Sequence, residues 1–193
     1  MQLLLMKNDK NKINLSEHLA GLERIVALGN KQMQAKGYFK NDKGDFWQVY
    51  ETWPYMGACY EYFTALMRYG FTTKAMKEGE RLLELNERDN LGIRYDLMHL
   101  FALSENREKA EKLRNTYGDY FSQMLLPLCF LYYKIGKEQT VAKLLSDLKE
   151  KNKDLLKFVK KVLNDSIFIE ISKIHGFGYR SGTIEELADG YGR

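Results

Sequence analysis

Side chains that commonly bind metals or act as nucleophiles are few in this chain and far apart. The 193 residues include three histidines and two cysteines, His18, His99, His175, Cys59 and Cys129. Asp96 and His99 share one face of a predicted helix, but a zinc site needs at least three ligands and the sequence suggests no third. Residues this distant give no argument for a nucleophile with a neighbouring base. We therefore expect no metal, no cofactor and no catalytic centre, which predicts a protein that is not an enzyme.

A glycine-rich segment near the C-terminus, HGFGYRSGT, has part of the composition of a phosphate-binding loop. It lacks the preceding strand and the following Gly-Lys-Ser/Thr that such a loop requires. Thr183 and Glu186 instead predict a capping box at the start of a short last helix. The segment would then pack back on the body of the protein as a C-terminal cap. Anion binding by an uncapped helix N-terminus beside Arg180 stays open as the alternative role of residues 176–182.

A basic segment, residues 137–161, carries eight lysines against four acidic residues. Its last four lysines fall on one side of a predicted helix, and they are Lys153, Lys157, Lys160 and Lys161. Such a face could contact phosphates, so a nucleic-acid-associated helical protein is the alternative function. The segment has no arginine and almost no aromatic residues for base stacking, and the net charge of the whole chain is only +4. These features count against nucleic acid as the partner.

The composition favours an all-helical protein. The chain is 45% hydrophobic and 29% charged, and it has only two prolines to interrupt long apolar-periodic segments. No stretch approaches the roughly 20 apolar residues that cross a bilayer, and MQLLLM is too short an apolar run for a signal peptide. We expect a cytoplasmic protein with no membrane partner, in which both cysteines are buried free thiols.

The first helix is predicted by an apolar stripe at helical spacing, formed by Leu15, Leu19, Leu22, Val26 and Met33. Gly37 is the expected stop. A polar, turn-rich bridge at 40–44 follows. We therefore predict an N-terminal helical extension over 1–44 and a main helical-repeat domain over 45–193.

The main domain repeats. Gly70 to Ala75 aligns with Glu105 to Ala110 at a period of 35 residues. The same shift superposes four further pairs, Gly57 on Gly92, Tyr60 on Tyr95, Leu66 on Phe101 and Leu82 on Tyr117. Gly136 starts a third copy, whose predicted buried residues are Leu125, Leu128, Tyr132, Val141, Leu145 and Leu148. Periods near 34 with a small residue in the turn are typical of tetratricopeptide helix pairs. We predict a right-handed stack of about three antiparallel helix pairs, a TPR-like superhelix with an N-terminal helix and a C-terminal capping segment.

The two prolines have different predicted positions. The run YETWPYMG gathers aromatic residues around Pro54, which suits the first turn of a helix because its missing N–H needs no partner there. The aromatic residues are therefore interpreted mainly as a helix start. Pro127 must either begin the helix that contains LPLCFLYYKIG or kink it.

Three motifs resemble those of bacterial tetratricopeptide-repeat-like proteins. An ETRPYM-type helix, an LLxLNPxDNxGxRYxL block and a Tyr-rich GSxEEA-type segment occur in the family's order, at 51–58, 82–97 and 179–187. The resemblance covers about 45–193. Trp53 and Gly57 stand where the family has arginines, and Glu87 stands where it has proline. The resemblance implies an interaction scaffold with no defined enzyme activity.

The predicted partner-binding surface is the concave face of the stack, formed by the first helix of each pair. The repeat register places six residues there: Tyr60, Thr64, Met67, Arg68, Tyr95 and His99. Tyrosine, methionine and arginine suit the adaptable recognition of a peptide or helix. The alternative, that the tyrosines only pack between helices, stays open. A non-enzymatic scaffold that binds a protein or peptide partner is therefore the predicted function, with a homodimer as one form of such binding.

Overall fold

The chain is described from a computed structural model, which defines residues 15–118, 121–167 and 180–192. Within these ranges it forms ten helices: α1 Leu15–Ala35, α2 Tyr38–Asn41, α3 Trp53–Arg68, α4 Thr72–Leu85, α5 Ile93–Leu103, α6 Arg107–Tyr117, α7 Ser122–Lys134, α8 Glu138–Lys151, α9 Leu155–Leu163 and α10 Ile184–Gly192. The predicted all-α class is confirmed. The described ranges contain no strand beyond an isolated bridge between Asp45 and Asn86, and no helix in them is long and apolar enough to cross a membrane.

The chain divides into two compact units, with the boundary along the sequence between Asn90 and Leu91. In the first unit α1 and α4 both pack on α3. In the second unit α6 and α7 pack on α5, α8 and α10 pack on α7, and α10 also contacts α9. The predicted boundary at 44/45 lies inside the first unit, after α2, and stays a prediction.

One turn geometry ends the first helix of every pair. At Gly70, Glu105 and Gly136 the backbone is left-handed, with φ of 77°, 55° and 70°. The next N–H in each turn donates to the carbonyl five residues back at 2.8–2.9 Å, which closes a Schellman motif. Asp165, with φ of 54°, ends α9 by the same motif. These turns join α3 to α4, α5 to α6, and α7 to α8.

The predicted repeat keeps its buried alanine but not its helix lengths. Ala75 and Ala110 are both fully buried, whereas the second helices α4, α6 and α8 have 14, 11 and 14 residues. Gly57 and Gly92 share a repeat position but differ in local structure. Gly57 lies inside α3, whereas Gly92 precedes the shorter α5 with φ of 72°. A first helix that begins later turns the same repeat position into a helix start.

One expectation about the third pair needs correction, and one of the two positions left open for Pro127 is excluded. Leu145 was predicted to be buried but is 42% exposed. Leu144 is buried instead, because it lies four residues from buried Leu148 on the side of α8 that packs on α7. Pro127 does not begin a helix, since α7 starts five residues earlier at Ser122.

The last helix, α10, is capped by residues from elsewhere in the second unit. Asp154 accepts a hydrogen bond from the first N–H of α10, at Ile184, at 3.1 Å. The two carboxylate oxygens of Glu186 accept from the backbone N–H of Gly182 at 2.6 Å and of Ser122 at 3.1 Å. The carboxylate therefore ties the start of α10 to the start of α7.

The predicted capping box is wrong in detail. The Thr183 hydroxyl donates back to the Arg180 carbonyl at 2.6 Å, and Asp154 takes the capping role. An uncapped N-terminus for anion binding is excluded by the same two carboxylates, Asp154 and Glu186. The rest of the glycine-rich segment, with His175, lies outside the described residues.

Candidate functional site

One long face of α3 is only partly buried. Met56, Cys59 and Phe63 are fully buried on the sides of α3 that pack against its neighbours. The predicted site residues of this helix occupy the remaining face at spacings of four, three and one, and they are Tyr60, Thr64, Met67 and Arg68. The first three are half-buried and Arg68 is exposed. The helix thus brings these four residues together, and their role in binding stays a prediction.

An aromatic cluster continues this face at the N-terminal end of α3. We call Trp47, Tyr50 and Trp53 the tryptophan cluster. The two indole rings stack with centroids 5.3 Å apart, and the Tyr50 ring lies 5.2 Å from that of Trp53. Trp53 Nε1 also donates to the Trp47 carbonyl at 2.9 Å. Tyr50 is 74% and Trp53 43% exposed. The helix start around Pro54 is confirmed, but these rings are surface residues of it.

The backbone beneath the tryptophan cluster is fixed by a buried threonine. Thr52 is fully buried, and its hydroxyl lies 2.5 Å from the Phe46 carbonyl and 2.8 Å from that of Val49. These contacts join the short 3-10 turns Phe46–Gln48 and Tyr50–Thr52, which carry two of the three rings. The rings are therefore presented by a braced segment.

The second unit holds the other two predicted site residues on α5. Tyr95 stacks with the guanidinium of Arg94, whose Cζ is 4.4 Å from the ring centroid, and meets Phe121 edge-on at 6.0 Å. His99 lies one turn further along the same helix and is half-buried. Asp96 is buried, and no group of three metal-ligating side chains occurs among the described residues.

The sequence reasoning missed exposed side chains near the C-terminal ends of α5 and α7. They are Leu103 at 69%, Phe130 at 55% and Tyr133 at 70% exposure. Shifts of 35 and 66 residues place them at the repeat positions of Arg68, Thr64 and Met67. The signal for them was therefore present in the sequence. We call Leu103, Phe130 and Tyr133 the apolar patch.

Lys134 holds the two helices of the apolar patch together. Its ammonium group donates to the carbonyl of Leu103 at 3.0 Å and pairs with Glu105 at 3.1 Å. The C-terminal end of α5 is thereby joined to α7, which carries Phe130 and Tyr133. The patch has a basic group at its edge and a fixed backbone beneath it.

The four predicted nucleic-acid lysines lie on and just before α9. Lys153, Lys157 and Lys160 are exposed and Lys161 is half-buried. The same helix exposes Leu156 and Leu163, while its single aromatic residue, Phe158, is buried. The basic face therefore exists, but α9 offers no aromatic ring on which a base could stack.

A polar network is buried between α1, α3 and α4 of the first unit. Arg81 donates to Tyr55 Oη, to Cys59 Sγ at 3.0 Å, and to both carboxylate oxygens of Glu78, one of them at 3.0 Å. Tyr55 Oη in turn lies 2.5 Å from Asn30 Oδ1. Burial raises the pKa of the Cys59 thiol to about 11, so this cysteine stays protonated and unreactive near neutral pH. The network joins three helices and is not a nucleophilic centre.

The predicted state of both cysteines agrees with the structure, since Cys59 and Cys129 are free and buried. Burial also raises the pKa of Cys129 to about 11.

Comparison with known proteins adds no function to this geometry. The chain matches no protein-family model, no curated protein and no solved structure. The resemblance to tetratricopeptide-like proteins therefore stays a prediction from its motifs.

Proposed function

We propose that the chain is a non-enzymatic protein-interaction module, built as a TPR-like stack of helix pairs, which binds a peptide or a helix on its first helices. The observation that carries this proposal is the apolar patch. Leu103, Phe130 and Tyr133 all occur at first-helix repeat positions and are all more than half exposed. Monomeric proteins expose single apolar residues freely, but a group of large exposed apolar side chains on two helices that pack together is more typical of an interaction site.

The chemistry of the patch suits a peptide or helix. Aromatic rings supply large contact areas with few rotatable bonds, and they are enriched at the centre of protein interfaces. Lys134 lies at the edge of the patch, where its ammonium group pairs with Glu105, and on α3 the exposed Arg68 has the equivalent repeat position. An amphipathic partner would fit the patch with its apolar stripe.

The proposal is tested by selecting binders from a random peptide library displayed on phage, with the intact chain as bait. The selected peptide is then titrated against the wild type and a Phe130→Ser, Tyr133→Ser variant. We expect binding to weaken by about tenfold or more, which corresponds to roughly 1.4 kcal/mol. A matched control is Leu156→Ser, Leu163→Ser, which removes two equally exposed apolar side chains from α9. The control should bind within about twofold of the wild type.

A nucleic-acid function makes the opposite prediction. A fluorescent single-stranded oligonucleotide of random sequence would bind, and its affinity would fall steeply between about 50 and 200 mM salt. Lys157→Glu, Lys160→Glu would abolish that binding, whereas the Phe130 and Tyr133 changes would not affect it. This result would overturn the proposed function. So would a selected peptide that binds the Phe130→Ser, Tyr133→Ser variant as tightly as the wild type.

A further inference from the structure

The segment that carries the tryptophan cluster has an unusual charge pattern. From Gly44 to Met67 the chain has no lysine, arginine or histidine, but it has three acidic residues, Asp45, Glu51 and Glu61. All three are exposed. The rest of the protein is basic enough to give a net charge of +4. The aromatic rings therefore belong to a segment whose charged side chains are all acidic, in a protein whose net charge is positive.

The geometry of the cluster suits a cationic group. The faces of Trp and Tyr rings carry negative potential and attract ammonium and guanidinium groups within about 6 Å. The Trp53 ring is held by Trp47 and by the hydrogen bond from its own indole N–H, so little conformational freedom is lost on binding. Glu51 follows Tyr50 directly in the same 3-10 turn, and its side chain is exposed.

We propose that the tryptophan cluster, together with the exposed carboxylates of Asp45 and Glu51 in the same segment, is a binding site for a lysine or arginine side chain of a basic peptide segment. The inference deepens the proposed function, on which it rests, by giving the chemistry of the partner at the first unit. It uses different residues from those of the apolar patch. A proline-rich peptide could also stack on exposed aromatic rings, but it carries no positive charge for the acidic residues of this segment to attract.

The chain supplies its own reporter for this site. It has two tryptophans, and both are in the cluster. Intrinsic tryptophan fluorescence therefore reports on the cluster alone. The probe is a short synthetic peptide with alternating glycine and arginine, titrated at low salt against the full chain. Two peptides of equal length serve as comparisons, one with citrulline in place of arginine and one rich in proline.

We expect the arginine peptide to change the fluorescence in a saturable way and to bind at least about fivefold more tightly than the citrulline peptide. Tyr50→Ala should weaken binding about three- to fivefold by removing one ring. Glu51→Gln should weaken it about twofold at low salt, with the difference lost at high salt. Phe71→Ala, which removes an exposed ring that belongs to neither the cluster nor the apolar patch, should leave binding unchanged. Tyr50 is mostly exposed, so circular dichroism should show an unchanged fold for that variant.

Equal binding of the arginine and citrulline peptides would overturn the proposal, as would tighter binding of the proline-rich peptide or no saturable signal at all. The proposal for the tryptophan cluster and the proposal for the apolar patch can be disproved independently. Loss of the arginine signal with a working library peptide would leave the proposed function intact. Conversely, a clear arginine signal with no selected peptide would keep this site and remove the apolar patch.

Discussion

The two units contain the same set of interacting side chains in different surroundings. In the first unit Arg81 bonds to Glu78 and to Tyr55 between α3 and α4. In the second unit Arg107 bonds to Glu111 at 2.7 Å, and Tyr132 Oη lies 2.5 Å from the same carboxylate, between α6 and α7. The side chains of Arg81 and Glu78 are 28% and 11% exposed, whereas those of the second pair are 52% and 37% exposed.

Each unit thus has a triad of one arginine, one glutamate and one tyrosine. The difference in exposure shows that burial, and not residue type, decides how much such a triad contributes to the stability of the fold. Solvent screens the Arg107 and Glu111 pair, which can be lost at little cost. Glu78 is nearly buried, so it depends on Arg81 for compensation of its charge. The first triad therefore fixes the packing of α3 and α4. The second triad adds little to the stability of the contact between α6 and α7.

Replacement of Arg81 should give the largest effect. Arg81→Ala leaves the Glu78 carboxylate and the Tyr55 hydroxyl without their common donor, and we expect a loss of about 3–5 kcal/mol in the free energy of unfolding. Urea denaturation followed by circular dichroism measures this loss. Arg107→Ala is the matched control and should stay close to the wild type. Similar losses for both variants would contradict the role given to burial.

The second-largest effect should be a loss of stability at alkaline pH, which arises in the first unit. The pKa of Cys59 is raised by burial from 9.0 to about 11, so the folded state favours the neutral thiol. The stability from this group is complete below pH 9 and is lost as the pH rises towards 11, by about 2–3 kcal/mol in total. Urea midpoints measured across this window should fall in the wild type and fall less steeply in Cys59→Ala. A pH profile unchanged by Cys59→Ala would rule out this contribution.

A glycine beside the first triad should be sensitive to a single methyl group. A Cβ on Gly29 would lie 2.5 Å from the Tyr55 ring, which is held by its hydrogen bonds. Gly29→Ala should therefore destabilise by about 1–2 kcal/mol, even though alanine favours the helix by about 1 kcal/mol. Gly21 lies in the same helix with nothing within 4 Å of a built Cβ. Thermal unfolding should show Gly21→Ala slightly stabilised, and destabilisation of both would contradict the contact with Tyr55.

The smallest effects should come from the turns that the units share. Gly70 is left-handed with open space around it, so Gly70→Ala should cost about 1 kcal/mol from backbone strain alone. At the equivalent turn of the second unit, Glu105→Gly should gain a similar amount. Glu105→Ala serves as the control, because it removes the exposed ion pair with Lys134 but keeps the strain. No gain in the denaturation midpoint of Glu105→Gly over Glu105→Ala would show that the two turns differ.

The residues of the candidate site could be predicted only in part from the sequence. Tyr60, Thr64, Met67 and Arg68 share a face because helical spacing fixes their directions, and this needs no tertiary information. The apolar patch follows the same register, so the sequence could have found it. The contact of Lys134 with the end of α5 could not be read in this way, because it depends on how closely two helices approach.

The sequence by itself determined the helical class and the positions of the turns between paired helices, because these depend on local backbone preferences and on the spacing of apolar residues. Tertiary structure alone decided which of Leu144 and Leu145 is buried and that Asp154 caps α10. It also decided that Arg81 meets Tyr55 across 26 residues. Burial and long-range pairing depend on the surface that another element covers, and local spacing carries no information about that surface.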